Sequence, residues 1–160
     1  MEKEILRILE QNAFETPVDI AEKLGVDADA VKTKIAELEE KQIIVGYKAV
    51  INWDKADKDL VTALIDLKIT PQPGQGFDRV AEKIYQFDHV KSVYLMSGGY
   101  DLSVTIEGKS MKDVALFVAE KLAPMDCVLS TTTHFILRKY KDGGIILSQA
   151  NTDSRQMITL

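Results

Sequence analysis

Residues 16–48 read TPVDIAEKLGVDADAVKTKIAELEEKQIIVGYK, and their layout decides how the rest of the chain is understood. Thr16 followed by Pro17 is a helix start: a hydroxyl to satisfy an orphan N–H, then a residue whose missing N–H costs nothing there. Asp19, three residues past the cap, suits the positive helix end. Ile20, Ala21 and Leu24 make an apolar stripe, and Gly25 stands where a left-handed residue ends a helix. Val26 is expected to plug the core. Asp27 caps the next helix, whose inner face carries Val31, Ile35 and Leu38 at helical spacing. The β-branched run Ile43-Ile44-Val45 and then Tyr47 to Ile51 read as extended chain. Two short helices joined at Leu24-Gly25-Val26 and followed by a β-like run predict a helix-turn-helix with a small wing.

Upstream, Ile5, Leu6, Ile8 and Leu9 predict a first helix over 2–12. This N-terminal stretch lacks a basic start, an apolar run and a small-residue cleavage site, and no run approaches the roughly 20 apolar residues of a membrane span. A cytoplasmic location without membrane association is therefore expected. The single cysteine, Cys127, excludes an intrachain disulfide and a Cys-rich metal site. The net charge is −5, and residues 1–50 carry seven Lys and Arg against eleven Asp and Glu. A generally basic nucleic-acid binder is excluded, so any DNA-reading surface must be a local cluster. The residues that fit are Lys32, Thr33 and Lys34, with Tyr47 and Lys48 beside the DNA backbone.

Downstream, the polar stretch 52–59 reads as a linker, with Trp53 as an anchor at the junction. Alternation over Leu60 to Ile69 predicts a strand. Phe77 to Phe87 then shows a helical stripe of Phe77, Val80, Ala81, Ile84 and Phe87. Val90 to Ser97 and Tyr100 to Glu107 read as strands around a tight Gly98-Gly99 turn. Ser110 caps a helix whose inner face is expected to be Met111, Val114, Ala115, Val118 and Leu122, and Val128 to Tyr140 reads as the last long strand. The order β-α-β-β-α-β predicts a ferredoxin-like domain with both helices on one sheet face. Leu64, Val93 and Leu95 are expected on the other face, which a second copy would cover. The fold class is thus α+β: a winged helix-turn-helix domain over 1–51, the linker 52–59, a ferredoxin-like domain over 60–141 and a tail over 142–160. In that tail Asp142-Gly143-Gly144 before Ile145-Ile146-Leu147 predicts a hairpin turn and a short added strand.

This order resembles the Lrp/AsnC, or feast/famine, transcriptional regulators. The resemblance rests on Ile43-Ile44-Val45-Gly46-Tyr47-Lys48-Ala49-Val50-Ile51-Asn52, on Val93 to Met96 with Ser97-Gly98-Gly99-Tyr100-Asp101-Leu102, and on Thr131-Thr132-Thr133-His134-Phe135-Ile136-Leu137-Arg138. It covers about residues 2–141. It implies a sequence-specific regulator that binds double-stranded DNA, dimerises through its second domain and builds a dimer of dimers or an octamer. It also implies an amino acid or related small effector bound near Gly98, Gly99, Tyr100 and Asp101, with Thr131 and Thr133 close by. Bare glycine backbone lets an N–H approach a ligand carboxylate, and Asp101 is placed to receive an α-ammonium group. The chain departs from the family in its reading helix, where Asp27 and Asp29 precede Lys32 and Lys34 instead of a serine start and a well-placed arginine. Lysine neutralises a phosphate but lacks the bidentate fork for guanine.

Two other readings compete. The two-domain layout also resembles the siroheme decarboxylases, for which His89 and His134 with Arg79, Arg138 and Arg155 would have to converge on an acidic tetrapyrrole. A small-molecule-binding assembly with a degenerate DNA domain is the other, motivated by the acidic first third. The sequence contains no P-loop, dinucleotide fingerprint, HExxH or G-x-S-x-G. No catalytic residue, cofactor or metal site is therefore expected, and the chain is not read as an enzyme.

Overall fold

Local side-chain caps set two of the three helices of the N-terminal third; the first has none. α1 (Glu2–Gln11) precedes α2 (Pro17–Leu24), which opens with a reciprocal box: Asp19 N–H donates to Thr16 Oγ1 at 3.2 Å, and Thr16 N–H donates to Asp19 Oδ2 at 2.9 Å. Gly25 has a φ of +64°, and Val26 N–H donates back to Ala21 O at 3.1 Å. α3 (Ala28–Glu40) starts on Asp27, whose Oδ2 accepts from Ala30 N–H at 3.0 Å. The computed structural model describes residues 1–56, 60–70 and 76–147, and the chain divides into two units, Met1–Ile51 and Asn52–Leu160. The expectations for residues 57–59, 71–75 and 148–160 lie outside the described residues.

The core of the first unit is Ile5, Ile20, Ala21 and Val31, with Ile8, Leu9, Leu24, Ala28 and Ile35 packed against it. Val26 does not plug it; the left-handed turn leaves this side chain 38% exposed, and Leu24 and Ala28 close that side instead. α3 ends through Gln42, at a φ of +55°, with Ile43 N–H donating to Leu38 O at 2.9 Å. Among the described residues, 43–51 belong to no strand. A β-branched run becomes a strand only when a neighbouring strand supplies ladder partners.

The second unit holds a four-stranded antiparallel sheet in the order β2-β3-β1-β4, with β1 Val61–Ile69, β2 Val90–Leu95, β3 Leu102–Gly108 and β4 Val128–Phe135. α4 (Gly76–Tyr85) links β1 to β2 across β3, giving the split β-α-β arrangement. α5 (Met111–Phe117) runs into a π-turn over Val118–Leu122. Both helices cover one sheet face: Val80 and Ile84 from α4, and Val114, Phe117, Val118 and Leu122 from α5 and its turn, pack on Ala63, Ile65, Leu67, Leu102, Val104 and Ile106. Met111 and Ala115, expected inside, are exposed, and Phe117 is buried in their place. The helix is thus rotated from the expected face, and Phe87 meets Phe117 edge to face at 5.4 Å between ring centres.

Register corrects two further expectations. Val93 pairs with Val104 and Leu95 with Leu102, so both share the helix-covered face of their partners. Leu95 is still 61% exposed, because edge strand β2 ends there. Only Leu64 of the three lies on the open face. β4 stops at Phe135, five residues short of Tyr140, and the chain resumes as a separate hairpin of β5 (Lys141–Asp142) and β6 (Ile145–Ile146). Gly143 and Gly144, at φ of +52° and +80°, supply the two positive φ values that a two-residue hairpin turn needs.

Candidate nucleic-acid interface and effector turn

The exposed stripe of α3 runs through Asp29, Lys32, Thr33, Ala36 and Glu40. Lys32 and Thr33 therefore face solvent together, as expected of a reading surface. Lys34 does not share that stripe. It is partly buried and its Nζ donates to Glu37 Oε2, a hydrogen bond that raises the lysine pKa above its ordinary value. Tyr47 is exposed, but its hydroxyl donates to Glu39 Oε1 at 2.9 Å and ties the extended segment back to the end of α3. Lys48 is exposed on that segment. Lys23, on α2, is paired with Glu15 at 2.6 Å.

The glycine turn is wider than two residues. Met96 N–H donates to Asp101 O at 2.8 Å, leaving Ser97, Gly98, Gly99 and Tyr100 between, and β3 begins only at Leu102. Neither Gly98 nor Gly99 is among the residues with positive φ, so the primed two-residue turn is not formed. A Cβ on either would meet nothing within 4 Å. The fold of this chain does not by itself require glycine at these positions, and the backbone there is bare to solvent.

Asp101 holds the turn to the sheet. Its N–H donates to Leu67 O at 2.9 Å, and its Oδ2 accepts from Ile69 N–H at 2.7 Å, where the β1–β4 register shifts. Oδ1 faces Lys68 Nζ at 3.3 Å. The Ile69 N–H and then Lys68 hold this carboxyl below its ordinary value. One oxygen of the carboxylate expected to receive an ammonium group, Oδ2, is thus already the fastening of the turn, and the other, Oδ1, already faces an ammonium, that of Lys68. Tyr100 Oη lies 3.0 Å from Thr132 Oγ1 on the open sheet face. Thr131 and Thr133 pair with Leu67 and Ile65 and share their helix-covered face, so strand alternation separates them from Tyr100. Thr132 and Lys68 are the neighbours that sequence reasoning missed. The signal was the alternation in β4, which puts Thr132, not Thr131, beside Asp66.

The two histidines do not converge. His89 stacks on Phe117 of α5 at 5.0 Å, on the helix-covered side. His134 Nε2 is 3.2 Å from Asp66 Oδ2 on the open face. The tetrapyrrole reading, which needs them together, is not supported. Among the described residues no helix is long and apolar enough to cross a membrane.

Residues 62–146 match the model of the Lrp/AsnC ligand-binding domain, and residues 1–45 match a winged helix-turn-helix DNA-binding model. The chain belongs to the Lrp/AsnC family. The uncharacterised HTH-type transcriptional regulator YugG of Bacillus subtilis is 51% identical over 159 residues, covering 99% of this chain and 96% of that protein. The HTH-type regulator LrpA of Pyrococcus horikoshii is 35% identical over 140 residues, 88% of this chain and 96% of that one. The feast or famine regulatory protein of M. tuberculosis, solved with L-methionine, shares the fold with a TM-score of 0.72 at 20% identity, covering 88% of this chain and 92% of that one. This Lrp/AsnC chain is a DNA-binding transcriptional regulator with a helix-turn-helix unit and a ligand-binding unit. Its family is one of transcriptional regulators.

Proposed function

We propose that the regulator responds to an amino acid bound at the turn Gly98–Asp101. The observation that carries this reading is the bare Gly98-Gly99 backbone, anchored through Asp101 yet not required to be glycine by the fold. Anchored backbone N–H groups suit a carboxylate. Asp101 offers Oδ1, which Lys68 also faces, to an α-ammonium group, with Tyr100 and Thr132 flanking on the open sheet face; Thr131 and Thr133, on the opposite face, are left out of the site. The methionine complex of the M. tuberculosis relative supports this ligand class. In this reading the domains divide as 1–51, the linker 52–59, 60–141 and the tail 142–160.

DNA is read by Lys32 and Thr33 on the exposed stripe of α3, with Lys48 and Tyr47 at the phosphates and Lys34 contributing less because Glu37 already neutralises it. One helix with so little positive charge binds weakly, so the regulator acts as a homodimer, and as a dimer of dimers or octamer, through the open sheet face around Leu64 and Tyr94. Its work is binding and not catalysis, in the cytoplasm. Titration of DNA fragments with the protein, with and without each amino acid, tests the reading. Gly98→Ala and Gly99→Ala are expected to leave thermal stability unchanged, since a Cβ there meets open space, and to remove the amino-acid response. DNA binding that ignores every amino acid, or a response that survives both variants, overturns it.

A further inference from the structure

An amino acid that brings its α-ammonium group to Asp101 meets an ammonium group already there. Asp101 Oδ2 accepts from the Ile69 N–H at 2.7 Å, so Oδ1 is the oxygen left for a ligand. Lys68 Nζ stands 3.3 Å from that oxygen and donates to it. Two ammonium groups crowded onto one carboxylate oxygen repel each other, so the two cations compete for the place. The lysine is free to leave it. Its side chain is 42% exposed, against 19% for Asp101, and its charge sits at the end of a flexible four-carbon stem. Asp66, two residues back on the same open sheet face, is turned to His134 Nε2 at 3.2 Å, which leaves Asp101 as the lysine's ion-pair partner among the described residues. The turn does not depend on Lys68, because Asp101 is fastened by main-chain groups: the Ile69 N–H, and Leu67 O, which accepts the Asp101 N–H at 2.9 Å. Lys68 also lies four residues along β1 from Leu64, about 13 Å, away from the middle of the proposed dimer patch.

We propose that Lys68 is an internal stand-in for the effector's ammonium group, seated on Asp101 Oδ1 until an amino acid binds and displaces it. This rests on the proposed effector site at Gly98–Asp101. The exchange keeps the local charge balanced: the carboxylate has one ammonium partner before and after, and the lysine passes into water on the open sheet face. Lys68 thereby sets affinity and selectivity together. A ligand that uses Oδ1 must first break the Lys68–Asp101 pair, so only a group that replaces what it breaks is admitted. A carboxylic acid without the ammonium group leaves the pair intact and gains nothing from Asp101.

The test is calorimetric titration of the full-length protein with each of the twenty amino acids, and with the des-amino form of whichever binds most tightly. Lys68→Met keeps an unbranched stem and removes the charge. It is expected to bind that amino acid about two- to fivefold more tightly than wild type, the worth of an exposed ion pair that no longer has to be broken. It is expected to bind the des-amino acid as wild type does. Lys68→Arg, whose fork grips a carboxylate at two points, is expected to bind the amino acid more weakly than wild type. Amino-acid affinity in Lys68→Met that is unchanged or lower overturns the stand-in, and so does an equal gain for the des-amino acid. A loss for both ligands makes Lys68 a contact for the ligand carboxylate and overturns it as well. A wild type that binds none of the twenty, or that binds as well after Gly98→Ala, overturns the effector site itself and the stand-in with it.

Discussion

Asp19 in the helix-turn-helix unit and Asp101 in the sheet unit do the same chemistry over different distances along the chain. Each accepts a main-chain N–H, at 2.9 and 2.7 Å, and each has its carboxyl held below the ordinary value by the hydrogen bonds it accepts. For Asp19 the largest cause is the Thr16 hydroxyl, three residues away; for Asp101 it is the N–H of Ile69, 32 residues away. The difference separates the two units. Helix ends are satisfied by residues one turn along, so they form wherever the local sequence supplies a cap. A sheet is satisfied by residues that only the topology brings alongside, so its polar groups acquire partners no local motif announces.

Four measurements sharpen or break that contrast. The largest effect is expected from Leu102→Ala, which empties a 1%-exposed site shared by β1, β2 and β3. Denaturant unfolding should show the sheet unit losing about 2–5 kcal/mol while the helical signal of the first unit holds its midpoint. A loss shared by both units would break the comparison. Thr16→Ala should cost the first unit about 1 kcal/mol, and Thr16→Ser should restore it; no change would mean that tertiary packing, not the cap, fixes α2.

The next effect is read against pH. The folded pKa of Asp101 is depressed, so its contribution to stability is complete above the unfolded value of about 3.9 and is lost as pH falls through the lower folded value. Asp101→Asn should therefore flatten the acid limb of the sheet unit's melting profile below about pH 4, while Asp19→Asn flattens that of the first unit. An unchanged acid limb in either variant would remove its carboxylate from the pair. The smallest effect lies on the DNA side. Lys32→Ala should reduce the slope of log affinity against log salt by about one, the share of one neutralised phosphate. Lys34→Ala, with its charge already met by Glu37, should change it less. The reverse order would reassign the reading face.

Legibility followed the same line. Thr16, Asp19, Gly25, Asp27 and Ser110 occupy the caps and the turn that their residue types announced. The β-α-β-β-α-β order was equally open to reading, since periods of two and of 3.6 residues are written into each segment. The effector turn was legible in its place but not in its wiring. Gly98-Gly99 reads as a tight hairpin by composition, and the structure instead spaces the turn from Met96 to Asp101. On α3, adjacency in the sequence grouped Lys34 with Lys32 and Thr33, but residues two apart lie on different sides of a helix, and Lys34 pairs with Glu37 there.

The amino-acid sequence by itself determined the α+β class, the two-unit order, the caps and the family, because these depend on contacts within a turn or on simple periodicity. Only the tertiary structure decided which face each residue of β2 and β4 presents, that Asp101 is spent on Ile69, and that Asn52 is bound to the C-terminal hairpin. A one-residue change of register inverts every side chain of a strand, and register is set by the neighbouring strand and not by the strand's own residues.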